Sequence, residues 1–67
     1  VIHINVNGQL RQFPSSLTIS ELLNALELSG KRVAVEKNGE IVPKSLHSAT
    51  RADDGDALEI VVAVGGG

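Results

Sequence analysis

Ile2, Ile4 and Val6 alternate with His3 and Asn5, a period of two that predicts a strand with one face buried. Asn7-Gly8 follows, the pair that a two-residue hairpin turn favours because both positions need positive φ. Gln9 to Phe13 is then the antiparallel partner. Its apolar residues, Leu10 and Phe13, stand at odd spacing, which predicts a bulge or an early strand end. Pro14, Ser15 and Ser16 break the pattern. Thr18 and Glu21 are spaced as a capping box, each side chain serving the other's backbone N–H. Ile19, Leu22, Leu23 and Leu26 recur at helical spacing and predict a helix from Ile19 to Leu28. Gly30 is its expected stop, with Lys31 and Arg32 near the negative end of the helix dipole.

Val33 to Lys37 reads as another strand, Asn38-Gly39 as a second hairpin turn, and Glu40 to Val42 as the returning strand, closed by Pro43. Lys44 to Arg51 has no clean period and allows a short helical turn about Leu46. Asp53-Asp54-Gly55-Asp56 is a tight polar turn in which Gly55 supplies the unusual φ. Leu58, Ile60, Val62 and Val64 then alternate with Glu59, Val61 and Ala63 in a last strand that is apolar on much of its second face as well. One helix must cover the first hairpin, so the last strand has to insert beside the first to complete the sheet. Parallel pairing there, a strand order inferred by analogy, would give an α+β fold, a mixed sheet of four to five strands packed on one helix in the β-grasp arrangement. The expected division is a domain over 1–64 and a flexible glycine tail over 65–67.

Composition narrows the function. A 67-residue chain is one domain, and its 42% hydrophobic content is that of a folded one. Without Cys it has no disulfide, thiolate zinc site or cysteine nucleophile. The one aromatic, Phe13, offers no stacking platform, and six Lys and Arg against eight Asp and Glu oppose a phosphate-backbone binder; no nucleic-acid partner is expected. No apolar run approaches the roughly 18 residues of a spanning helix, and no signal-peptide pattern opens the chain; the expectation is no membrane and a cytoplasmic location. A domain this small buries about 60% of its unfolded surface and has little volume for an active-site pocket, so an enzyme acting alone is not expected. His3 and His47 lack ligand partners at metal spacing and read as surface residues. Ser15 and Ser16 lack a neighbouring base. The aspartates of the 53–56 turn lack the remaining positions of a calcium loop. No metal and no catalytic residue is expected.

The sharpest chemical feature is Gly65-Gly66-Gly67, directly after the most hydrophobic strand. Three extended residues reach about 10 Å. Without side chains such an arm can enter a narrow channel and be gripped on both sides. With Gly67 last, its α-carboxylate is expected free and ionised, able to attack the α-phosphorus of ATP. The acyl-adenylate so formed is ready for a sulfur or nitrogen nucleophile.

Asn7-Gly8, Thr18 to Leu23, Val35 to Pro43, Asp54-Gly55-Asp56 and Val62 to Gly67, in this order and spacing, resemble the ThiS family over essentially the whole chain. These are the small sulfur carrier proteins of bacterial thiamine biosynthesis, with a ubiquitin-like β-grasp fold. The resemblance implies that Gly67 is adenylated by a ThiF-type adenylyltransferase and converted to a thiocarboxylate, with Gly66 threading the enzyme's channel as its partner in the G-G motif. It implies ThiG-type thiazole synthase as recipient and a sulfur donor system such as a cysteine desulfurase. The protein would be a cosubstrate, with no cofactor of its own and ATP consumed by the partner enzyme. Val61, out of phase with the core-facing set, is the expected partner-interface residue. The same features leave open the small subunit of molybdopterin synthase (MoaD), a ubiquitin-like modifier, and a β-grasp module binding RNA or a regulatory ligand.

Overall fold

A computed structural model describes residues 1–63. Both Asn-Gly pairs turn the chain as their sequence demands, with φ of 53° and 82° at Asn7 and Gly8 and of 51° and 87° at Asn38 and Gly39. Around them lie strands β1 (Ile2–Val6) and β2 (Gln9–Phe13), and β4 (Val33–Lys37) and β5 (Glu40–Val42). Between the hairpins come the two-residue strand β3 (Leu17–Thr18) and helix α1 (Ile19–Ala25). A 3-10 turn over Lys44–Leu46, strand β6 (Arg51–Ala52) and strand β7 (Ala57–Val62) follow. The main sheet has the order β2-β1-β7-β4-β5, and β7 runs parallel to β1 and antiparallel to β4. This is the mixed β-grasp sheet on one helix, with five strands. Ile19, Leu22 and Leu23 of α1 pack with Ile4, Val6, Phe13, Val35, Leu58 and Ile60 of the sheet in one core.

Three local expectations are corrected. Strand β2 has no bulge: it pairs with β1 without interruption from Ile2↔Phe13 to Val6↔Gln9. Leu10 and Phe13 look out of step because they lie on opposite faces. Phe13 is buried opposite Ile2, whereas Leu10 lies opposite Asn5 and is 69% exposed. The helix ends at Ala25 rather than Leu28. Glu27 takes a left-handed φ of 62°, its N–H donates to the Asn24 carbonyl, and the Leu28 N–H donates to the Leu23 carbonyl at 2.8 Å. That is a Schellman stop three residues before Gly30. Leu26 and Leu28 keep their contact with the core from the turn, so the apolar period outlasts the helix. His47, expected at the surface, is buried, its Nε2 lying 3.1 Å from the Val42 carbonyl oxygen, which satisfies the ring.

The start of α1 is held as its sequence predicts. Glu21 N–H donates to Thr18 Oγ1, and Thr18 N–H donates to Glu21 Oε1 at 2.8 Å. The Thr18 backbone bond, then the Thr18 side chain, hold the Glu21 carboxyl below its ordinary range. The small β3–β6 ladder, Leu17↔Ala52 and Thr18↔Arg51, has no hydrophobic pattern to announce it. It brings the 47–50 segment onto the helix start, where Ile19 N–H donates to Thr50 and Ser20 N–H to His47, both orphan donors of the first turn.

Candidate functional site

The chain approaches its terminal glycines along β7, the central strand of the sheet. Asn5↔Ala57 and Val6↔Leu58 join it to β1, and Val33↔Val62 through Lys37↔Leu58 join it to β4. The two hairpin turns reach across and fasten it further. Asn7 Nδ2 donates to the Ile60 carbonyl at 3.0 Å, and Ile60 N–H donates to Asn7 Oδ1 at 2.7 Å. The Asn7 side-chain amide thus continues the parallel ladder where the β1 backbone turns away. At the strand's start Ala57 N–H donates to Asn38 Oδ1 at 2.9 Å, and Asn38 Nδ2 donates to Asp56 Oδ1. Burial alone would raise the Asp56 carboxyl; bonds from the Asp53 N–H and Asn38, with the Lys37 charge, outweigh it and hold Asp56 below its ordinary range. At the other end Ala63 N–H donates to the Arg32 carbonyl at 2.9 Å, so the chain is anchored up to residue 63. Val64, Gly65, Gly66 and Gly67 lie outside the described residues.

The register of β7 is the predicted one. Leu58 and Ile60 are buried at 2% and 6% exposure, whereas Val61 is 65% exposed on the face away from the helix. Strand pairing sets Ala34 opposite Val61, Glu36 opposite Glu59 and Ile41 opposite Glu36 on that same open face. A groove of about 300 Å³ lies over Val61, lined also by Arg32, Val33, Ala34, Lys44 and Ala63. Its lining is chiefly apolar, with Arg32 and Lys44 as the two charged members. His3 lies away from it, with Nδ1 3.7 Å from Asp54 Oδ1. Among the described residues no three His, Asp or Glu converge as a metal site, and no helix is long and apolar enough to cross a membrane. Sequence reasoning placed Val61 on the exposed face but missed its neighbours Ala34, Ile41, Glu36 and Glu59, which become one surface through pairing across strands.

The ThiS family model matches residues 4–67. The chain belongs to the ThiS family. Its fold is close to that of a thiamine biosynthesis protein, ThiS, from Geobacter metallireducens: the crystal structure superposes with a TM-score of 0.85 at 38% identity, covering 98% of this chain and all of that one. A sulfur carrier protein ThiS of Bacillus subtilis is 44% identical over 50 residues, 75% of this chain and 76% of the relative. A thiazole synthase of Paramagnetospirillum magneticum is 48% identical over 62 residues, 92% of this chain but 19% of the relative. This ThiS-family chain therefore spans about a fifth of the length of that synthase.

Proposed function

We propose that this chain is a sulfur carrier for thiazole formation in thiamine biosynthesis, a protein cosubstrate acting in the cytosol. The observation that carries the reading is the junction of an anchored strand with the glycine run of a ThiS-family chain. Strand β7 is fastened through Ala63, and four residues later the sequence reaches Gly67. A fixed base and a side-chain-free arm suit delivery of one carbonyl carbon into a partner's active site, since the base sets the direction and glycine adds no bulk. The Gly67 carboxylate attacks the α-phosphorus of ATP in a ThiF-type adenylyltransferase and expels pyrophosphate. The terminal sulfur of a persulfide, supplied by a donor system such as a cysteine desulfurase, then displaces AMP to give an acyl disulfide. Two equivalents of a thiol reductant cleave its S–S bond, leaving the thiocarboxylate on Gly67, the donor's thiol and the reductant's disulfide. Gly66 lies in the channel, where a Cβ would add bulk and restrict φ. Thiazole synthase is the recipient, a role favoured by the relative of that name that carries a matching segment. Val61 lies in the docking surface beside the arm.

Deletion of Gly67 tests this directly. The truncated chain keeps its circular dichroism and melting temperature but loses ATP–pyrophosphate exchange with a ThiF-type enzyme. Exchange at the rate of the full chain would contradict the reading.

A further inference from the structure

The open face of the sheet carries charge in a pattern that folding does not call for. Glu36 and Glu59 are directly opposite each other on adjacent strands, an arrangement that destabilises a sheet by like-charge repulsion. The ion pairs among the described residues, His3–Asp54 and Lys37–Asp56, involve neither glutamate. Both line a hollow of about 290 Å³ between the two Asn-Gly turns, where Ala57, Gly8 and Gly39 leave room beside them. One rung toward the tail come Ala34 and Val61, in an apolar groove that Arg32 and Lys44 also line. Along β4 and β7 the face therefore runs from anionic, through apolar, to cationic at the base of the glycine arm.

Resting on the carrier reading, we infer that this face docks a protein surface of reversed polarity. An apolar side chain of the partner fills the groove over Val61 and Ala34, a carboxylate meets Arg32 and Lys44, and a guanidinium or ammonium enters the hollow between Glu36 and Glu59. Charge complementarity argues for this occupant. An apolar strip alone would accept any greasy surface in several orientations, whereas opposite charges at its two ends admit one. The orientation matters because the arm leaves from the cationic end, so a partner docked the other way round would have its active site at the wrong end of the strand. The glutamate repulsion is relieved when a cation enters between the two carboxylates.

Two variants of the full chain separate this from attraction by net charge. Glu36→Gln with Glu59→Gln raises the net charge by two, and Arg32→Glu lowers it by two. Binding to the ThiF-type adenylyltransferase is measured by calorimetry at low and high salt, and ATP–pyrophosphate exchange is measured at saturating carrier. Both variants are expected to bind roughly tenfold more weakly at low salt, with a smaller salt dependence than the unmodified chain. The double glutamine variant is expected to melt no lower than the unmodified chain, because a repulsion has been removed. Changes of opposite sign in the two variants would mean net-charge steering and overturn the inference, as would unchanged affinity in both or a lowered melting temperature for the glutamine variant. Full exchange by the unmodified chain alongside any of these results leaves the carrier reading standing. Absence of exchange by the unmodified chain overturns both.

Discussion

Asn7 turns the chain and also bonds across it. Its positive φ makes the hairpin, and its amide exchanges two hydrogen bonds with the backbone of Ile60, 53 residues away. Asn7→Gly separates the roles: glycine keeps the turn but leaves the Ile60 N–H and carbonyl without their partner. The expected cost is about 1–3 kcal/mol, read as a lower urea midpoint at unchanged slope. An unchanged midpoint would show that the clamp contributes nothing. The turn was legible because positive φ is a local demand that few residue pairs meet. The clamp was not, because its partner is supplied by topology and no local pattern marks it. Burial of His47 was hidden for the same reason: its acceptor, the Val42 carbonyl, comes within reach only after the chain turns back at Pro43.

At the scale of elements, strand β7 was the most legible and α1 the least well bounded. The alternation Leu58, Ile60, Val62 fixed both faces of β7, because a slip of one residue would have put Glu59 in the core. The α1 end was misjudged because Leu26 and Leu28 continue the apolar pattern through a turn that a non-glycine, Glu27, makes at positive φ. Strand β2 was misjudged because its helix-side positions are Gln9, Arg11 and Phe13, so a single apolar residue marks the buried face. The β7 register carries a paired prediction. Ile60→Asp places a carboxylate in a small apolar core and unfolds the domain, at a penalty of several kcal/mol. Val61→Asp leaves the carboxylate hydrated, keeps the fold, and weakens binding to the adenylyltransferase or thiazole synthase, where the same charge is desolvated. Melting curves and titrations of the two variants check this. A folded Ile60→Asp beside an unfolded Val61→Asp would place the strand one residue out of register, and normal binding by a folded Val61→Asp would remove the strip from the interface.

For the molecule as a whole, the described residues build a core between one helix and a five-stranded sheet whose other face is open, with the two-stranded β3–β6 ladder beside it, and the sequence continues from the central strand into a glycine run. The order of elements along the chain was legible from the pattern, whereas the order of strands in the sheet came by analogy with the β-grasp arrangement, because no local pattern says which strand pairs with β7. The open face was legible only in part: the exposure of Val61 can be read from one strand, but the charge sequence across β4 and β7 emerges when both strands are paired. In the function proposed above, the molecule contributes a carboxylate delivered on a fixed base, with bond making left to its partners. Intact-mass spectrometry tests that claim most directly. The full chain is incubated with a ThiF-type adenylyltransferase, ATP, a cysteine desulfurase, cysteine and a thiol reductant, and its mass is followed. The account predicts a gain equal to the difference between a sulfur and an oxygen atom, localised by fragmentation to Gly67. An unchanged mass while the adenylyltransferase is turning over ATP on this chain, or a gain matching an isopeptide bond to another protein, would contradict it.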